Sequence, residues 1–420
     1  MRKWQRSLVV VSLVAWVGLA LTGAAAAQTP VRVSGWGGTD LAIVEELIAR
    51  FVRPAVEAEG IQVIYEPVAD SFDTYLYNAL SAGTAPDLFY VDIFWSEPLF
   101  RAGQVEPLNQ YLTASNRLSA DDIIPNLLEG FTIDGQIYGI PKDMNTLAVI
   151  YNKDLFDEAG VPYPDDNDDW NTFTEKLRRV VEATGVEGTA LVPKFERFGA
   201  FAYAAGFVPF DENGHTDLSQ PGFRLAFDWY TGLVEQGLAV QPADIGADWA
   251  GGALANEQIA VAFEGGWILG FLRDQAPNLR YGAAPMPKAP NTGQRGNIIY
   301  TVSWSINAAS KVKAEAFRVL EELTSPEAQQ WVLERGLAIP SRAALADNPY
   351  FDEATAEAQA NRIIFEGASD GFVYPFKFRQ YGGDWMRPID DALSAVMNGE
   401  LSAEEALREA QERLDHLTGR

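Results

Sequence analysis

Asp143 and Asn145 stand two residues apart, just past Pro141. Proline fixes its own φ and biases the preceding residue, Ile140, toward extended backbone. In an extended segment residues i and i+2 point to the same side. The pair therefore presents a carboxylate and an amide together, groups suited to bidentate hydrogen bonding with a polar rim. Asp92 closes the apolar run 87–91, and Asp70 stands before a helical stretch, so two more carboxylates sit at element ends. Nine of the eleven tryptophans lie beyond residue 27. Four of them, Trp36, Trp267, Trp304 and Trp385, flank glycine-rich turns or strand ends, and Trp95 follows Asp92 by three. An indole face packs on apolar C–H surface, while carboxylates, amides and an arginine such as Arg379 satisfy the polar edge of the same ligand.

Each of these residues also has a plainer role. The spacing of Asp143 and Asn145, taken alone, is the commoner mark of a solvated surface strand, and a tryptophan beside a turn is as often core as platform. Arg379 can be an ordinary ion-pair partner. Trp229 and Trp331 lie within helical apolar patterns and read as core. By type, Asp92 and Asp143 could form the acid and base of a glycoside hydrolase, which needs carboxyl groups about 5–10 Å apart. Aromatic side chains with carboxylates also suit a cationic ligand such as a polyamine. With no cysteine and only His215 and His416, no thiol nucleophile, disulfide or transition-metal site is expected. Residues 165–169 (DDNDD) look superficially like an all-oxygen calcium loop but lack its central Gly and closing Glu. They read as a solvated acidic loop, and no metal or cofactor is expected.

The elements that must position these groups alternate. Strands are predicted at 31–34, 61–65 and 87–91, with helices at 41–52 and from 70 or 71 to Gly83 between them, an order that calls for a parallel sheet with helices on its faces. Ligands of such sheets sit at the carboxyl ends of the strands, which puts Trp36, Asp70 and Asp92 on one rim. The glycine-rich stretch 35–40 (GWGGTD) fits neither a dinucleotide fingerprint nor a phosphate loop. A strand at 147–151 leads into a helix ending at Gly160. A capping-box pattern at 172–175 opens a helix ending near Gly185. Pro221 opens another that Gly237 closes, and residues 259–263 form a strand. Ser402 with Glu405 caps a final amphipathic helix.

The first 27 residues have the form of a cleavable signal. MRKWQR is basic, 7–21 is apolar, and Ala25, Ala26 and Ala27 make a small-residue cleavage site before Gln28. With no cysteine to carry a lipid, a free protein in a periplasm-like space is expected. The net charge is −26, becoming more negative once Arg2, Lys3 and Arg6 are set aside. That balance argues against nucleic acid, whose phosphates need a basic surface.

Residues 138–160, YGIPKDMNTLAVIYNKDLFDEAG, resemble the crossover segment of the extracellular solute-binding proteins of family 1, the sugar-binding components of ABC importers. GTAPDLFYVD at 83–92, FEGGW at 263–267, SINAAS at 305–310 and GELSAEEALREA at 399–410 are similar to further runs of that family, in the same order. The resemblance spans nearly the whole chain beyond the signal. It implies an α/β, two-lobed Venus-flytrap fold, each lobe a mainly parallel sheet flanked by helices, with several crossing segments. The lobes would comprise 28–142 and a return segment 271–318 for the first, and 143–270 and 319–420 for the second. It further implies a non-enzymatic, monomeric protein that captures a sugar, of di- or oligosaccharide size, and delivers it to transmembrane permease subunits. On this reading the ligand set is Trp36, Asp70, Asp92, Trp95, Asp143, Asn145, Trp267, Trp304, Arg379 and Trp385. Asp92 matches the position whose carboxylate accepts sugar hydroxyls in related disaccharide binders.

Overall fold

A computed structural model describes residues 28–420 apart from Gly38, Asp70, Gly336 and Leu337. The expected signal segment 1–27 and Asp70 lie outside the described residues. Two five-stranded sheets organise the chain. The first contains β1 (Thr29–Ser34), β2 (Ile61–Tyr65), β3 (Leu88–Asp92), β6 (Ile140–Pro141) and β13 (Val302–Ile306), in the order β2-β1-β3-β13-β6. The second contains β7 (Ala148–Asn152), β8 (Glu187–Ala190), β9 (Ala239–Val240), β10 (Ile259–Glu264) and β11 (Tyr281–Ala284), in the order β11-β7-β10-β8-β9. Two small pairs complete the strands: β4 (Thr132–Ile133) with β5 (Gln136–Ile137), and β12 (Gly296–Ile299) with β14 (Phe372–Pro375). In the central strands β7 and β10 every residue is buried, the near-continuous burial of strands covered on both faces.

Both sheets are mixed rather than mainly parallel, and the crossings explain why. β1, β2 and β3 are parallel, and the carboxyl end of β3 lies beside the crossing chain, where the Ile93 N–H donates to Thr301 O at 3.1 Å. β13 arrives from the other lobe and so enters at that same end, which forces it antiparallel to β3, with Val302 opposite Asp92. β7 enters the second sheet from the cleft in the same way. It runs antiparallel to β10, with Ala148 opposite Glu264.

Within the return segment, β12 and β13 are separated at Tyr300 and Thr301. β12 stays with the second lobe through β14, and β13 belongs to the first sheet. The proposed return segment 271–318 divides accordingly, since β11 pairs with β7 of the second sheet. The return instead continues through the helices Lys313–Leu323 and Pro326–Glu334, which pack on the first lobe. There Trp331 meets Phe51, and Arg318 is paired with Glu59 at 3.0 Å.

Three passages of chain join the lobes, and they are hydrogen-bonded side by side. Met144 bridges Ile339, and Asn145 bridges Tyr300. The bonds are Met144 N–H to Ile339 O at 2.8 Å, Asn145 N–H to Tyr300 O at 2.8 Å, and Tyr300 N–H to Asn145 O at 2.9 Å. Asn297 supports the first passage with its side chain. It accepts from the Leu147 amide and donates to the Leu147 carbonyl, each at 2.8 Å.

Local signals act as sequence chemistry dictates. Asn152 caps the helix Lys153–Ala159, which ends at left-handed Gly160. The helix Trp170–Thr184 is capped by Asp169, with Thr172 completing the box, so the expected box at 172–175 is displaced by three residues. Ser402 and Glu405 cap the closing helix Ala403–Thr418. No helix among the described residues is long and apolar enough to cross a membrane.

Candidate ligand-binding cleft

The first-lobe wall is built on the carboxyl ends of β1, β3 and β6. Trp36 follows β1, bridges Val68, and presents its ring edge-on to Tyr90 at 5.5 Å. Gly35 is required beside it, because a Cβ there would sit 2.7 Å from the Tyr90 ring. Asp92 ends β3, and its carboxylate accepts the Phe94 amide at 2.8 Å. Burial, reinforced by the charge of Asp143, pushes the Asp92 carboxyl up to about 7, against the opposing pull of the Phe94 amide and Lys142. Asp143 itself is ion-paired with Lys142, whose ammonium lies 5.0 Å from the Tyr90 ring centroid. Trp95 is half-buried against Tyr77 at 6.1 Å, on the same rim.

The second-lobe wall rises from the carboxyl end of β10. Asn145, in the first passage, accepts the Gly266 amide at 2.9 Å and so fastens the turn that presents Trp267. The Trp267 indole N–H donates to Glu264 at 2.8 Å, and the guanidinium of Arg197 lies 5.1 Å from the indole ring. Glu264 is buried and also accepts from Arg197 at 2.8 Å. Burial raises its carboxyl from the ordinary range, countered by Arg197 and the indole N–H.

Aromatic contacts run from this wall to the other lobe. Trp267 meets Tyr300 edge-on at 5.4 Å, Tyr300 meets Phe376 at 5.2 Å, and Phe376 stacks on Phe94 at 4.9 Å, two residues beyond Asp92. Lys377 extends the join by donating to the Gly130 carbonyl at 3.0 Å.

The structure thus places Trp36, Asp92 and Trp95 at the carboxyl ends of first-lobe strands and Asn145 and Trp267 beside the first passage, while Asp143 is buried, paired with Lys142, and lines the same first-lobe interior as Trp304. Three other expected residues lie elsewhere. Trp304 is 2% exposed and packs on Tyr90 at 4.3 Å. Opposite residues of paired strands share a face, and that face is covered by helices, so Trp304 is in the first-lobe core. Trp385 is fully buried within the second lobe. It stacks on Phe378 at 4.5 Å, and its N–H is satisfied by Thr216 at 2.7 Å. Arg379 is exposed, its guanidinium 4.9 Å from the Phe210 ring of the same lobe. The acidic loop 165–169 is answered by cations, Lys176 donating to Asp168 at 2.7 Å and Arg295 to Asp166 at 2.8 Å.

Several wall residues had no sequence signal of their own. Glu264 lies inside the FEGGW run, and Tyr300 between β12 and β13. Arg197 sits in the aromatic-rich helix Phe195–Ala204 and meets Glu264 only through the fold.

A family model for bacterial extracellular solute-binding proteins matches residues 35–330. This chain belongs to that family. It is 31% identical over 290 residues to a binding protein of Brucella abortus strain 2308, covering 65% of this chain and 67% of the relative. It is 21% identical to the galactooligosaccharide-binding protein of Bacillus subtilis strain 168, over 98% of this chain and 97% of the other. The fold is similar to that of an ABC substrate-binding protein of Listeria monocytogenes in complex with cycloalternan, with a TM-score of 0.83 at 20% identity, covering 93% of this chain and 99% of that one. Members of this solute-binding family bind without chemistry, so the hydrolase alternative does not describe the chain.

Proposed function

We propose that this solute-binding protein captures a neutral di- or oligosaccharide between its lobes, outside the cytoplasmic membrane, and presents it to the permease subunits of an ABC importer. The observation that carries the reading is the anchored indole of Trp267 on one wall, with Asp92 at the carboxyl end of β3 on the other. An indole offers a flat apolar face to a pyranose, and the Asp92 carboxyl hydrogen-bonds its hydroxyls. Charges near the cleft are matched by opposite partners, Lys142 with Asp143 and Arg197 with Glu264, which favours a neutral ligand over an ionic one. The sugars named for the Bacillus and Listeria proteins point the same way. Capture follows from differential contacts: a ligand touching both walls stabilises the closed arrangement, and closure bends the three passages.

The test is titration of the purified protein with maltose, trehalose, galacto-oligosaccharides and arabino-oligosaccharides, followed by tryptophan fluorescence and calorimetry, with spermidine and Ca²⁺ as controls. Saturable binding of one sugar, lost in Trp267→Ala, is the expected result. Response to a control with silence toward every sugar overturns the ligand class.

A further inference from the structure

We propose that Glu264 is the positioning residue of the cleft, a buried carboxylate whose task is to hold the Trp267 indole at a fixed angle to the ligand. The inference deepens the reading of Trp267 as a sugar platform and rests on it. One oxygen, Oε2, accepts both the Trp267 Nε1–H and an Arg197 Nη2–H, each at 2.8 Å. Glu264 is 3% exposed at the last position of β10, whereas Trp267 and Arg197 remain partly open. The anchor is therefore hidden and the anchored groups face the cleft.

The surroundings complete the fixation. A Cβ on Gly265 would come within 2.5 Å of the indole ring, so the ring lies directly against that backbone. Tyr300 abuts it edge-on at 89°, and Arg197 covers it at 5.1 Å. An indole tethered through its N–H cannot turn about its side-chain torsions without leaving a buried carboxylate half-satisfied. A platform ordered before the ligand arrives avoids the entropy cost of ordering it on binding.

The plainer alternative is that Glu264 only neutralises Arg197. The two roles diverge when both charges are removed, since a buried ion pair replaced by apolar groups is often tolerated. The near-ultraviolet circular dichroism that Trp267→Phe removes from the unliganded protein is first recorded as the signature of the fixed indole. Glu264→Gln, which keeps an oxygen acceptor, is expected to retain that signature and to bind the sugar within about threefold of the parent. The double variant Arg197→Leu with Glu264→Leu is expected to fold, lose the same signature, and bind roughly tenfold or more weakly, the loss of one well-made contact. A folded double variant that keeps both the signature and the affinity overturns the proposal. If the parent binds no sugar, the ligand class fails, and the signature comparison still decides whether Glu264 fixes the indole.

Discussion

The Asn145 side chain accepts the amide of Gly266 at 2.9 Å, joining the first interlobe passage to the turn that carries Trp267. The amide is buried, so its acceptor has no ready substitute. Asn145→Ala leaves it unpaired, at a cost of about 1–3 kcal/mol. The expected outcome is a lower denaturation midpoint together with faster ligand dissociation, read by stopped-flow tryptophan fluorescence. Lower stability with unchanged dissociation would confine Asn145 to folding.

Asp92 gives the protein a stability that falls with rising pH. Its folded pKa of about 7 lies above the ordinary carboxyl value of 3.8. Between these values the folded state holds a proton that the unfolded state has released, so stability declines as pH rises from about 4 to about 7 and is flat above. Asp92→Asn removes this slope. In thermal melts its advantage over the parent should grow across that window and level off near pH 8. A difference independent of pH would mean that Asp92 titrates as a solvated carboxyl.

The stack of Phe94 on Phe376, 4.9 Å between centroids, is a contact between the two lobes. A ring pair contributes about 0.5–1.5 kcal/mol beyond its buried area. Phe94→Ala is expected to open the unliganded protein, raising its radius of gyration in small-angle scattering, with ligand restoring the compact value. An unchanged radius would mean that the stack does not set the separation of the lobes.

Trp385 tests the division between core and cleft. Trp385→Ala should cost about 3–5 kcal/mol, the usual loss for truncating a buried tryptophan. The folded fraction should nevertheless bind sugar with near-parental affinity, as should Arg379→Ala, whose guanidinium lies over Phe210. A tenfold loss of affinity in either variant would return that residue to the cleft.

Much of the architecture was legible because it is written locally. Alternating strands and helices, Gly160 and Gly185 as stops, and the Ser402 and Glu405 cap all act within a few residues. The break at Tyr300 was not legible, because residues 297–306 keep an unbroken apolar pattern while the chain changes sheets. The site was half legible for a related reason. Tryptophans beside turns look alike in sequence, yet Trp267 stays partly open whereas Trp304 and Trp385 are buried under helices from distant segments. Glu264 and Arg197, 67 residues apart, become partners only when the helix Phe195–Ala204, packed on β12, brings Arg197 to the end of β10.

The strand order also sets a timetable for synthesis. β13 lies between β3 and β6, so the first sheet stays split until residue 306 of 420 has been made. The second waits for β11, which ends at Ala284. Pairings so distant in sequence fold slowly, and meanwhile β3 exposes an unsatisfied edge that invites wrong partners. Late closure lengthens the interval in which that edge stays open to aggregation.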